Sequence, residues 1–381
     1  NYAEVKSSNI YDSTVVYVGG LVGQMTDGEI KTTNGIETAN NGTVQAQSTH
    51  NNHLAEHLVS LYAGGIAGCA ENTTISCDLK NYGNVNVVTN AANLWAGGLF
   101  GRLNTTTCAG MFNKGKVSVV NSNRNTTDTR SKMYIGGNVG EAITDMSQMS
   151  NEEDVKVACD LVTRQDSYVG GIAGLLSGNL SESYNAKNIT FISKGGDAAY
   201  VAGLAGYVSC AEGKTVTVVS NCYNSGKVTT TCGGVGYVAG IVGLCEENST
   251  NHVVIQYTLS IGQISTQSGE GTCLTGAITN YTANTKLIYR PESYIVDEAQ
   301  AVSTFANFFL RGTAVMDGQT QEGLGGNLPS DYEEEKFAKG RISTTLKEES
   351  TYNPEGEKKP AWNFGNGVDP AIWEWKYATW Y

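Results

Sequence analysis

One short phrase, written Tyr-Val-Gly-Gly-Leu-Val-Gly at Tyr17 to Gly23, returns along most of this 381-residue chain. Variants stand at Tyr62 to Gly68, Trp95 to Gly101, Tyr134 to Gly140, Tyr168 to Gly174, Tyr200 to Gly206 and Tyr237 to Gly243, and a decayed copy spans Cys273 to Thr279. The steps between copies run from roughly 32 to 45 residues, around a period of about 36, which combines a rigid phrase with loops of variable length.

A second phrase, close to Asn-x-Gly-x-Val, precedes each copy: Asn1 to Val5, Asn40 to Val44, Asn81 to Val85, Asn113 to Val117, Asn151 to Val155, Asn185 to Ile189 and Asn224 to Val228, with Ser260 to Ile264 as a version that has lost its Asn. Weaker runs such as Thr74 to Cys77 and Val216 to Val219 fall between a glycine phrase and the next Asn phrase. Three short strands per repeat, rich in Val, Ile, Thr and Tyr, therefore alternate with Asn and Gly turns. A unit this small cannot bury its apolar face alone, so successive units must stack. Strands that return to the same place each turn pair in parallel at about 4.8 Å per coil, so the fold class is all-β, a parallel β-helix of about eight coils and roughly 35 to 40 Å long. Proline placement agrees. All five prolines lie at or beyond Pro291, and an interior strand paired on both edges cannot spare the N–H that proline lacks.

Stacking turns each phrase position into a column. Asn40, Asn81, Asn113, Asn151, Asn185 and Asn224, continued back to Asn1, form a structural ladder whose amides can bond up and down the stack. Gly20, Gly65, Gly98, Gly137, Gly171, Gly203, Gly240 and Gly276 read as glycine in every copy, which implies a bend or a close contact where a Cβ does not fit. No helix-forming segment follows these glycines, so they are not a dinucleotide fingerprint. Tyr17, Tyr62, Trp95, Tyr134, Tyr168, Tyr200 and Tyr237 make a third column: a buried ladder of stacked rings, or an exposed platform for sugar rings on which Tyr134, Tyr168 and Tyr200 are the candidate ligand-binding residues. The ladder is the favoured reading.

The repeated phrase resembles the GLUG-motif repeats of bacterial secreted and cell-surface proteins, named for a phrase like Gly20-Leu21-Val22-Gly23; the likeness covers residues 1 to about 284. The resemblance implies a parallel β-helix outside the cell or on its surface, sometimes beside a peptidase or other catalytic region, and brings no catalytic residues with it.

Little else in the repeats points to chemistry. Nine cysteines include no Cys-x-x-Cys pair, which argues against a zinc module; buried small hydrophobes are the simpler reading. If a disulfide forms, Cys77 with Cys108 is the best pairing, since both precede the Asn of adjacent coils by four or five residues. His53-Leu54-Ala55-Glu56-His57, with His50 nearby, matches the letters of an inverted zinc-peptidase motif, but that motif needs a helix, and this segment sits in a loop feeding a strand. No metal, cofactor or catalytic residue is therefore assigned. A net charge of −12 leaves no basic patch for nucleic acid. No apolar run reaches the roughly 18 residues of a spanning helix. The chain opens at Asn1, inside a repeat, which reads as the trimmed part of a longer protein.

Beyond about residue 285 the composition changes, with all the prolines and four of the five tryptophans. Residues 285 to 381 read as a cap. Asp297 to Arg311 has the apolar stripe of a helix, suited to plugging the last coil, one further helical turn is expected around Tyr332 to Phe337, and the tryptophan-rich end from Trp362 to Trp375 is expected to close the rod. The expected function is non-enzymatic: an adhesin or display scaffold for an extracellular glycan or a host surface protein. The alternatives are a carbohydrate-active enzyme, lyase or hydrolase, on a β-helix, or the noncatalytic repeat region of a larger secreted peptidase.

Overall fold

Each Asn phrase is a turn that launches a strand. In Asn40 the side-chain oxygen accepts from the Gly42 N–H (3.2 Å) and the amide donates to the Gly42 carbonyl (2.7 Å), so the side chain itself closes the turn. The strands that follow, among them Val44–Ser48, Val85–Thr89, Val117–Asn121, Val155–Cys159, Ile189–Ser193 and Val228–Cys232, pair in parallel and in register to build one face, here called face A. The aromatic phrases build face B, an eight-stranded sheet running from Val15–Gly19 to Cys273–Gly276. The chain then bends at the glycine pair and enters face C, a 17-stranded sheet that ends each coil at its ladder Asn. The computed structural model describes residues 1–9, 15–32, 37–49, 59–122, 131–160, 165–247, 250–269, 271–290 and 305–347, and in it the β-solenoid makes about seven turns.

Face C holds more than the third strand the repeats suggest. A strand follows each glycine phrase directly, as at Ala67–Glu71 and Ala205–Ser209, and a second leads into the Asn, as at Leu180–Asn185. A corner separates the two parts of the face. Its residue is left-handed at successive levels: Gly110 (φ 70°), Gln148 (55°), Glu182 (49°), Asn221 (56°), Tyr257 (51°) and Ala306 (51°). Pairings on either side, Ala109 with Ser147 and Met111 with Met149 for instance, hold these residues at one column. The run Val216 to Val219 is the start of the long strand Val216–Asn224, whereas Thr74–Ile75 pairs only with Glu29–Ile30 in a separate two-stranded ribbon.

Inside the coil the Asn and glycine columns interlock. From Asn40 to Asn224 each ladder residue is fully buried, and the amides bond in sequence: Asn40 to Asn81, Asn81 to Asn113 and Asn113 to Asn151 at 2.9 Å, Asn151 to Asn185 at 2.7 Å, Asn185 to Asn224 at 2.8 Å. Each amide also donates to a carbonyl two residues on, so its two protons are both used. The glycines lie against this column. A Cβ on Gly65 would stand 2.3 Å from the Asn81 Oδ1, and one on Gly98 2.3 Å from the Asn113 Cγ. Glycine is required there because the amide ladder fills the space.

The eighth repeat departs from its sequence alignment. Leu274 pairs with Tyr237, and Gly276 with Ala239, so Gly276 holds the first glycine position and Ala277, whose carbonyl faces Gly240, the second. The inner glycine column thus has seven members, and the ladder weakens at the same end: Ser260 replaces Asn, and its hydroxyl finds no hydrogen-bond partner among the described residues.

Parallel pairing continues past residue 284. Asn307–Leu310 pairs with the strand ending at Ser260, Ala314–Met316 with Ile264–Ser268, Leu324–Gly326 with Thr279–Tyr281, and Ala338–Arg341 with Asn307–Leu310. The helix expected over Asp297 to Arg311 is corrected accordingly: Asn307–Leu310 is a strand, and 297–304 lie outside the described residues. The helical spacing of Phe305 and Phe309 yields to the unpaired edge of the last coil, which offers backbone partners, and the corner at Ala306 lets both Phe308 and Phe309 be buried. The helical turn near Tyr332 is present as Glu334–Phe337. Phe305, Phe309 and Phe337 belong to the main core that closes this end. The segment from Trp362 to Trp375 lies outside the described residues.

Candidate functional site

The aromatic residues of face B point outward, between inward neighbours such as Leu61 and Ala63 around Tyr62. Parallel register places each ring over the next, with centroid separations of 4.9 Å for Tyr134 and Tyr168, 4.8 Å for Tyr168 and Tyr200, and 5.1 Å for Tyr200 and Tyr237. Across the glycine bend this column meets an outward column of face C. Tyr207 packs edge-on against Tyr168 (5.9 Å) and Tyr200 (5.3 Å), and the Trp95 indole N–H donates to Glu141 at 2.7 Å. Ring faces are thus covered by other rings and ring edges by the seam. Tyr134 and Tyr168 are 4% and 9% exposed, and Tyr200 is half-buried. The three candidate ligand-binding tyrosines come together in one stack, without the free ring face that a sugar would need. Burial pushes the Tyr62 phenol up to about 12 and those of Tyr134, Tyr168 and Tyr200 further still.

The same seam contains a charged staple whose residues fall on no repeated phrase. Cys69, Arg102 and Glu141 occupy one column of face C on consecutive coils. The Arg102 Nε donates to Glu141 at 2.9 Å, and its Nη1 is bound to Glu71. Burial opposes the guanidinium charge, but the two carboxylates outweigh it and raise the Arg102 pKa. One cation so ties three coils together, and both carboxylates are engaged as acceptors.

Face A offers a different surface. Its strands alternate in burial, with the second and fourth residues turned outward. The fourth positions run Gln47, Val88, Val120, Ala158, Ile192 and Thr231 in register, and Val88, Val120 and Ile192 are each 46% exposed. Beside them the second positions run Asn86, Ser118, Lys156 and Thr190. An apolar stripe thus crosses four adjacent coils, flanked by a column of hydrogen-bonding side chains. The signal was present in the sequence, as the fourth residue of each strand following the Asn phrase.

A hollow of about 410 Å³ opens on face C, lined by Ile75, Ala109, Asp145, Ser147, Asn179 and Ser181. Lys214 holds both Asp145 oxygens, at 2.6 and 2.8 Å, and the Asn179 N–H donates to the same carboxylate. Burial works against the ionised Asp145, yet these donors win and lower its pKa. The sequence places these residues on no shared phrase, so nothing marked them.

The histidine segment His50 to His57 lies outside the described residues. Among the described residues no group of three His, Cys, Asp or Glu side chains is placed to hold a metal ion, and no helix is long and apolar enough to cross a membrane. All nine cysteines are free thiols, Cys77 and Cys108 included; the Cys77 sulfur instead contacts the Ile30 carbonyl and the Thr38 hydroxyl. No family model matches the chain, and no curated protein or solved structure is significantly similar to it.

Proposed function

We propose that this chain is a non-enzymatic repeat scaffold of a bacterial cell-surface or secreted protein, using face A to hold an extracellular glycan or a host surface protein. The observation that carries this reading is the stripe Val88, Val120, Ala158 and Ile192 with its polar flank of Asn86, Ser118, Lys156 and Thr190. Apolar side chains aligned over several coils and kept in water are a mark of surfaces that receive a partner. Every strand beneath them is paired on both edges, so the groups are presented at a fixed spacing of about 4.8 Å with little ordering cost on binding. A polymeric ligand can engage several levels at once and gain from the repetition. The likeness of the phrase to GLUG repeats supports an extracellular setting.

A carbohydrate-active enzyme is a second reading, favoured by one observation: Glu71, Arg102 and Glu141 cluster on mid-rod coils beside the aromatic column. One experiment separates the two. The chain is applied to an array of glycans and extracellular-matrix proteins, and the glycan spots are assayed for new reducing or unsaturated ends. Retention without depolymerisation is expected. Depolymerisation that disappears in Arg102→Met would overturn the scaffold reading in favour of the enzyme, and retention by neither glycan nor protein would remove the binding role.

A further inference from the structure

Cys232 is the fifth residue of its face A strand, where it points inward, and Cys273 opens the last face B strand one coil further on. Both are buried, at 1% and 4% exposure. Between them lies Gly236, whose register partner is Cys273. In earlier coils the same inward slot carries Leu61, Leu94, Met133, Ser167 and Ala199, so side-chain volume shrinks along the rod and vanishes at Gly236. A Cβ on Gly236 would stand 2.7 Å from the Cys232 sulfur and 2.8 Å from the Cys273 sulfur. The two sulfurs therefore fill, from either side, the space that the missing side chain leaves. Other thiols in this chain find other partners: Cys69 contacts Glu71, Cys159 the Met133 sulfur, Cys210 the His252 carbonyl and Cys222 the Ser220 carbonyl.

We propose that Cys232 and Cys273 are a disulfide-forming pair that locks two adjacent coils together when the chain meets a low-molecular-weight disulfide oxidant. The two sulfurs converge on the side-chain space of Gly236, Cys232 from a face A strand where its register partner is Ser268, and Cys273 from the face B strand of the next coil. Cys273, the less enclosed of the two sulfurs, is the first nucleophile. The Cys273 thiolate attacks one sulfur of the oxidant, forming a mixed disulfide and releasing one thiolate. Cys232 then gives up its proton and attacks the Cys273 sulfur, which expels the second thiolate. One S–S bond forms in the protein and one breaks in the oxidant. The oxidant leaves as two thiols and carries off the electron pair and both protons. The bond would close a loop of roughly 40 residues that spans two coils, and a cross-link of that length restrains the unfolded chain.

The test incubates the full chain in oxidised glutathione, then blocks remaining thiols, digests without reductant and identifies linked peptides by mass. The expected product joins the Cys232 and Cys273 peptides and weighs two hydrogens less than their sum. Reduction should lower the melting temperature by several degrees, and that loss should be absent in both Cys273→Ser and Cys232→Ala, two variants that guard against one failing to fold. The proposal is overturned if both thiols are fully alkylated after oxidation, or if the linked product and the reductant-sensitive melting persist in either variant.

Discussion

The side-chain amide of Asn185 donates to the Oδ1 of Asn224 one coil further on, across 2.8 Å, and both residues are fully buried. Asn151 donates to Asn185 in the same way at 2.7 Å, so each amide is both donor and acceptor in a line that runs through the interior of the coil.

Asn185→Leu keeps the shape of the side chain and removes both bonds. It leaves the Asn224 oxygen without its donor and the Asn151 amide one acceptor short, at a cost of about 1–3 kcal/mol. Chemical denaturation with an unchanged m-value measures it; a loss within error would place the ladder's contribution elsewhere.

Gly171→Ala acts on the other side of the same contact. Its Cβ would meet the Gly203 carbonyl at 2.1 Å and the Asn185 Cγ at 2.5 Å, both atoms of the packed interior, so a loss of about 3 kcal/mol or failure to fold is expected. Gly213 is the control. It has φ 79° but no atom within 4 Å of its Cβ site, so Gly213→Ala should cost only the left-handed strain of about 1–2 kcal/mol. Thermal melts of the two variants should therefore differ clearly.

How far the sequence reveals all this depends on whether a position repeats its residue type. The Asn and inner glycine columns are legible because each level imposes the same demand, one amide filling one missing side chain. The corner of face C is not: Gly110, Gln148, Glu182, Asn221, Tyr257 and Ala306 share only a backbone angle, and stacking enforces that angle whatever the side chain. The eighth copy slips by one residue because Leu274 and Ala277 have replaced the aromatic and the glycine that would have fixed its alignment. Phe305 and Phe309 mimic a helical stripe because a strand that turns a corner also buries residues at that spacing. On the surface, the aromatic column is plain in the sequence but its burial is not, since that depends on Tyr207 and Glu141 arriving from another face.

The buried phenols give a pH signature with a fixed sign. An unfolded tyrosine loses its proton near 10.0, whereas Tyr62 in the folded chain holds it to about 12. Below pH 10 both states are protonated and stability is unaffected. Between pH 10 and 12 the unfolded state releases protons first, so stability must fall as pH rises. Melting followed from pH 8 to 12, with tyrosinate absorbance recorded alongside, should show phenol ionisation lagging and then arriving together with unfolding. Free ionisation of all tyrosines near pH 10 in the folded protein would contradict the burial of the stack.

The division of labour between a covered aromatic seam that holds the rod and a face that binds is tested most directly by measuring melting and array binding on Tyr168→Ala and Ile192→Glu side by side. Tyr168 is enclosed by Tyr134, Tyr200 and Tyr207, so its removal should cost about 3–5 kcal/mol of stability. Ile192 stands 46% exposed on face A, so a charge there should leave the melting temperature within a degree or two and abolish retention on the array. Unchanged melting with lost binding in Tyr168→Ala, and intact binding in Ile192→Glu, would contradict the assignment and move the functional surface to the aromatic column.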